Sequence, residues 1–239
     1  MKIGVLLSGC GVYDGSEIHE SVLTLLALDK LGVEIICIAP DIEQHHVINH
    51  LTGEPMPEKR NVLTEAARIA RGNIKALHDV NIKELDGLAM PGGFGVAKNL
   101  TKWAFEGPKG EINIEVKHFL NKLVKEGKPI AALCMAPTTL AKALEGTDVK
   151  ARLTVGTTEA TSPYDIKAIS EGMGSIGAEA VMCSVTHIVE DDVNNIITSP
   201  CYMMDASIGE IYSGIEKTIN KLVEMVTLSI ETRSLSSVK

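Results

Sequence analysis

Cys134 is the residue best placed to do chemistry. In Lys128-Pro-Ile-Ala-Ala-Leu-Cys134-Met-Ala-Pro-Thr138 an apolar strand runs directly into a cysteine, and a helix begins at once. Pro137 suits a first helical turn, where its missing N–H costs nothing. Ala132 and Ala136 stand two residues either side of the cysteine. Small-x-Cys-x-small is the pattern of a nucleophile elbow, whose tight turn leaves no room for bulk. A helix N-terminus beside the sulfur favours the thiolate. A buried structural cysteine is the competing reading.

Two further segments could serve that nucleophile. Met90-Pro91-Gly92-Gly93-Phe94-Gly95 follows a strand-like run. Its glycines let backbone N–H groups face a cleft, where they and the N–H of Met135 would bind an oxyanion; alone, the segment reads as a plain turn. Gly9-Cys10-Gly11-Val12-Tyr13-Asp14-Gly15 resembles a dinucleotide fingerprint, but Asp14 stands where the third glycine belongs. Asp14 with Glu17 fits a capping pair at a helix start. Glu20 lies one turn further in, ahead of the mostly apolar run Val22–Leu28. An acid against such a run is a candidate for a raised pKa and proton transfer, or for helix-dipole stabilisation.

The remaining polar candidates are weaker. His45, His46 and His50 cluster in a long segment after Ala39, without an acid or thiol at diagnostic metal spacing. A polar lid or pocket wall fits them better than a metal site. His187 falls inside an expected hairpin strand. In Arg60-Asn61-Val62-Leu-Thr-Glu65-Ala-Ala-Arg68-Ile-Ala-Arg71, Glu65 pairs with Arg68 along one helix face. That is a solvated face or, less simply, a carboxylate pocket. Cys201 and Cys10 are second thiols within reach of strand ends.

The elements that must position these residues alternate. Strands are expected at Ile3–Leu7, Val33–Ala39, Gly87–Met90, Pro129–Leu133, Arg152–Val155, Val185–Val189 and Asn195–Thr198. Helices are expected at Glu17–Leu31, Val62–Arg71, Ile112–Glu126, Pro137–Leu144 and Met204–Leu228. Short β-branched runs between amphipathic ones mean βαβ units and a mostly parallel sheet, with a hairpin appended near the end. In such sheets ligands sit beyond the carboxyl ends of the strands, where Cys134 and both glycine loops fall. One domain over 1–232 and a polar tail over 233–239 account for the whole chain.

Composition removes other classes. The 239 residues carry a formal charge of −8, with 45% hydrophobic and 23% charged content. An acidic chain without a basic block lacks the footprint of a nucleic-acid binder. Three Phe, four Tyr and one Trp leave little for a base-stacking platform. No apolar run approaches a membrane span. Five scattered cysteines without C-x-x-C spacing suit free thiols in a reducing compartment. Leu7-Ser8-Gly9-Cys10 imitates a lipoprotein cleavage box, but only Ile3–Leu7 precedes it. A cytoplasmic protein without a signal or an anchor is expected.

Together the elbow, the Pro-Gly-Gly loop and the acid of the first helix resemble the ThiJ/PfpI superfamily, which shares the class I glutamine amidotransferase-like fold. Within it the chain is most similar to the ElbB group, labelled isoprenoid biosynthesis protein or glyoxalase. Gly9–Glu20, Val47–Glu54, Arg60–Gly72, Pro91–Leu100 and Cys134-Met-Ala-Pro137 carry the resemblance. It implies a flavodoxin-like three-layer α/β sandwich, a homodimer, and no metal or organic cofactor. It implies Cys134 as nucleophile, Glu20 as facing acid, and Gly92, Gly93 and Met135 at the oxyanion site. His19, His50, Asn61 and Cys201 are pocket candidates. Relatives that carry a histidine after the elbow cysteine differ from this chain, which has Met135, and Thr154-Val-Gly156-Thr-Thr supplies none either. The function expected is a glyoxalase-like conversion of small 2-oxoaldehydes to hydroxy acids through a cysteine hemithioacetal. The alternatives are a thiol-based sensor and a glutaminase-like partner subunit.

Overall fold

The computed structural model describes residues 1–236. Nine strands form: β1 (Lys2–Leu6), β2 (Glu34–Ala39), β3 (Ile74–Ala76), β4 (Gly87–Met90), β5 (Ile130–Leu133), β6 (Arg152–Leu153), β7 (Glu179–Ala180), β8 (Val189–Asp191) and β9 (Ile196–Ser199). The helices are α1 (Ile18–Lys30), α2 (Val62–Ile69), α3 (Trp103–Glu106), α4 (Ile114–Lys125), α5 (Ala136–Leu144), α6 (Ile166–Ser175) and α7 (Ile208–Ser236).

The main sheet has seven strands in the order β3-β2-β1-β4-β5-β9-β8. Every pairing in it is parallel except β8 with β9. Strands β4, β5 and β9 are buried along their whole length. Continuous burial is what parallel strands covered on both faces require, and it explains their unbroken apolar runs. Helix α1 packs on α7 and α4 on α5, completing a flavodoxin-like three-layer α/β sandwich. The chain turns outward through β2 and β3, then returns to β4 on the other side of β1. That reversal is the topological switch point, where such folds open a crevice at the strand ends.

Local signals set the helix limits. Gly32 and Gly127 take φ of 67° and 65° after α1 and α4, the left-handed stop a glycine allows. Asn61, Asn113 and Asp165 cap α2, α4 and α6 with their side chains.

Several expectations are corrected. The short strands β3 and β7 lie outside the expected elements because two or three residues carry too little periodicity to register. Helix α6 lies outside them too, its ten residues carrying Gly172 and Gly174, which lower helix propensity. The segment from Arg152 pairs with β7 in a separate two-stranded sheet instead of joining the main one. The hairpin exists, but its first strand starts at Val189, so His187 lies before it, with Nδ1 2.7 Å from Ser184 Oγ. The expected capping pair resolves differently: Glu17 alone caps α1, while Asp14 Oδ2 accepts the N–H of Ile48 at 2.7 Å. Helix α7 starts at Ile208 and runs to Ser236, four residues into the expected polar tail. Positions 237–239 of that tail lie outside the described residues.

Candidate active site

Cys134 follows β5 with φ at 56°, one of four non-glycine residues in the left-handed region. A side chain held there is strained, and such strain collects at functional sites. The turn is pinned by the Cys134 N–H, which donates to the Ser199 carbonyl at 2.9 Å across β5 and β9. Helix α5 starts two residues later with Pro137 in its first turn. Ala132 and Ala136 are fully buried, as an elbow without space requires.

Glu20 meets this cysteine from α1. Its side chain is fully buried. Oε2 accepts the Gly92 N–H at 2.9 Å and Oε1 accepts the Tyr202 N–H at 3.2 Å. The carboxyl also hydrogen-bonds the Cys134 thiol. Burial and the neighbouring Glu17 charge push Glu20 up to about 8, against these three hydrogen bonds. Burial, then the charges of Glu20 and Cys201, push the Cys134 thiol well above its ordinary value, and the Gly93 N–H opposes them. The helix N-terminus therefore does not leave a resting thiolate; burial beside an acid outweighs it. As pH rises the carboxyl is the first of the pair to ionise, which gives a thiol hydrogen-bonded to a carboxylate.

The two glycines have separate tasks. A Cβ on Gly92 would lie 2.4 Å from Cys134 Cβ and 2.8 Å from both Cys134 Sγ and Glu20 Oε2. Its N–H is committed to Glu20, so it cannot serve an oxyanion as expected. Gly93 has φ at 97° and aims its N–H at the Cys134 sulfur. The Met135 N–H has no partner among the described residues. These two are the donors that remain for negative charge forming next to Cys134.

A cavity of about 10 Å³ opens on the sulfur. Val12, Phe94, Tyr164, Tyr202 and Met203 wall it, with Glu17 at one side. It is largely apolar and has room for about one water-sized group. The loop after β1 is tied under it: Asn99 Nδ2 donates to the Ser8 and Asp14 carbonyls, each at 2.9 Å.

The other candidates divide. Cys201 is fully buried beside Cys134 with φ at 46°, but it does not line the cavity. His19 is exposed and reaches the site only through Tyr202, whose hydroxyl is 2.9 Å from its Nδ1. His50 is outside the cavity lining, stacked on Tyr13 with Nδ1 3.0 Å from the Ile48 carbonyl. Asn61 is a helix cap and donates to Asp41, so it is no part of the pocket. Arg60 and Arg68 both pair with buried Glu65, which makes that segment structural. Cys10 lies near them, half-buried. His45 and His46 pack against Phe105. Among the described residues no cluster of three or more His, Cys, Asp or Glu could hold a metal.

The sequence reading missed Tyr164, Tyr202 and Glu17 as cavity residues. Tyr202 follows Cys201 directly and could have been flagged with it; Tyr164 reaches the site from the loop before α6, which no local signal announced.

Strained elbow, facing buried acid and glycine loop at a switch point define an elbow-type α/β protein with a cysteine at the turn. The chain belongs to the DJ-1/PfpI family, which matches residues 10–199. It is 39% identical over 226 residues to the human glutamine amidotransferase-like class 1 domain-containing protein 3, mitochondrial, covering 94% of this chain and 83% of that one. The rat ES1 protein homolog, mitochondrial, is 38% identical over 226 residues, covering 94% of this chain and 84% of its own. Among solved structures, an Ehrlichia chaffeensis isoprenoid biosynthesis protein with an amidotransferase-like domain superposes with a TM-score of 0.85. It is 34% identical and covers 95% of this chain and 99% of its own. The cytoplasmic expectation is corrected here: the human, rat and zebrafish relatives are all named mitochondrial.

Proposed function

We propose that this protein is a glyoxalase-type enzyme that converts small 2-oxoaldehydes such as methylglyoxal and glyoxal to hydroxy acids. One observation carries the reading: the fully buried Glu20 carboxyl and the Cys134 thiol meet across Gly92, and Cys134 opens on a small, largely apolar cavity that Glu20 lies behind.

The reaction starts from ionised Glu20. Its carboxylate takes the thiol proton as sulfur bonds to the aldehyde carbon, and the Gly93 and Met135 N–H groups receive the carbonyl oxygen. Protonation of that oxygen gives the hemithioacetal. Glu20, again ionised, removes the hydrogen of the former aldehyde carbon, forming an enediolate, and returns it to the adjacent carbon. The product of that transfer is a thioester of the hydroxy acid. Water adds to its carbonyl, the C–S bond breaks, and the free acid and the thiol are released. Every step is a proton transfer, an addition or an elimination, and the change in oxidation level at one carbon is balanced at the other, so no external oxidant is needed.

A sensor depends on a low thiol pKa for rapid oxidation, and the burial of Cys134 works against it. The test is formation of lactate from methylglyoxal and of glycolate from glyoxal, by wild type, Cys134→Ala and Glu20→Gln. Loss of product in both variants supports the reading. No product from wild type with the thiol confirmed reduced, or retained turnover in Cys134→Ala, overturns it.

A further inference from the structure

The mechanism above uses the aldehyde end of the substrate and leaves its second carbonyl unassigned. The cavity offers few side-chain groups for that oxygen. Glu17 is an acceptor already engaged in capping α1. The Tyr202 hydroxyl is 2.9 Å from His19. Tyr164 lines the same cavity, and its hydroxyl has no hydrogen-bond partner among the described residues.

The position of Tyr164 is well fixed. Its N–H donates to Ser162 Oγ at 2.9 Å, and that hydroxyl lies 2.6 Å from the Met203 carbonyl, which ties the loop before α6 to the residues after β9. The ring stands edge-on to Phe94, with centroids 5.8 Å apart. Burial, with Cys134 and Glu20 next, pushes the phenol up to about 12. It stays protonated throughout the range in which Glu20 ionises, so it remains a donor.

We propose that the Tyr164 hydroxyl donates to the second carbonyl oxygen of a vicinal dicarbonyl bound at Cys134, which selects 2-oxoaldehydes over simple aldehydes. This rests on the reading of Cys134 as the nucleophile. When Glu20 removes the hydrogen, the electron pair moves into the carbon–carbon bond and negative charge gathers on that second oxygen. A donor there stabilises the enediolate more than the bound substrate, the condition for catalysis.

The experiment uses adduct formation, which does not require turnover. Methylglyoxal and propionaldehyde are titrated separately as protectants of Cys134 against iodoacetamide over short times, read by peptide mass spectrometry, in wild type and Tyr164→Phe. The expected result is that the variant needs about tenfold more methylglyoxal for equal protection, the loss of one hydrogen bond, and the same propionaldehyde. An equal shift for both aldehydes, or no shift, overturns the assignment. Methylglyoxal that fails to protect the wild type overturns it together with the proposed function. Selective protection without hydroxy-acid product removes only the turnover reading.

Discussion

The backbone N–H of Gly92 donates to Glu20 Oε2 at 2.9 Å, and the missing side chain of the same glycine is what lets Cys134 approach that carboxyl. One residue thus holds the carboxyl and makes room for the cysteine.

Gly92→Ala should separate those roles from general stability. The new Cβ would meet Cys134 Cβ at 2.4 Å, a distance no real contact sustains, and must drive the pair apart. A misplacement on that scale costs about 100-fold in rate. Turnover is compared with wild type alongside a thermal melt. Activity near the wild-type level would mean that the pair does not do the chemistry.

The pH profile follows from Glu20. The proposed mechanism uses its carboxylate, and its pKa is raised to about 8, so kcat/KM should climb with pH through that value. A rate that is flat from neutral pH upward would exclude Glu20 as the base.

Stability should show the same group with the opposite sense. Glu20 binds its proton more tightly folded than unfolded, so its contribution is full below the ordinary value of 4.5 and is lost as pH rises through about 8. Glu20→Gln, which cannot ionise, should melt a few degrees higher than wild type at alkaline pH, with the gap closing toward acid. A gap that does not change with pH would contradict the raised pKa.

Glu17 is a positioning residue for this titration. Its charge is the largest influence on Glu20 after burial, and its Oε2 accepts the Glu20 N–H at 2.6 Å. Glu17→Gln keeps an acceptor for the cap and removes the charge. The rising limb of the pH profile should move to lower pH while substrate KM changes little. An unmoved limb would assign Glu17 to capping alone.

Asn99 supports the site from below. It donates to Ser8 and Asp14 and accepts the His45 N–H at 2.9 Å while almost fully buried. Asn99→Ala leaves those backbone groups unpaired, which should cost about 2 kcal/mol or more in a urea titration. A change within error would mean that water replaces the amide at no cost.

Much of this was legible in the chain itself. The strand-Cys134-helix run, the Pro91-Gly92-Gly93 loop and the apolar strands β1, β4, β5 and β9 are local patterns. Local sterics decide them: only small residues fit an elbow, and only apolar ones survive between two helical layers. Loops and short strands were less legible. His50, Asn61 and the Arg60–Arg68 segment share the polarity of site residues, and sequence cannot distinguish a cap or an ion pair from a pocket wall.

Tertiary structure decided the rest, because it depends on groups far apart in the chain. Glu20 reaches a pKa of about 8 because the fold buries it, with the Glu17 charge adding to the effect. The Gly92 N–H is taken from the oxyanion site by a carboxyl 72 residues away. Tyr164 becomes a cavity wall only when the loop before α6 folds onto the turn after β9. A residue's type and neighbours determine what it is able to do; burial and the direction of its unpaired donors, which only packing sets, determine what it does.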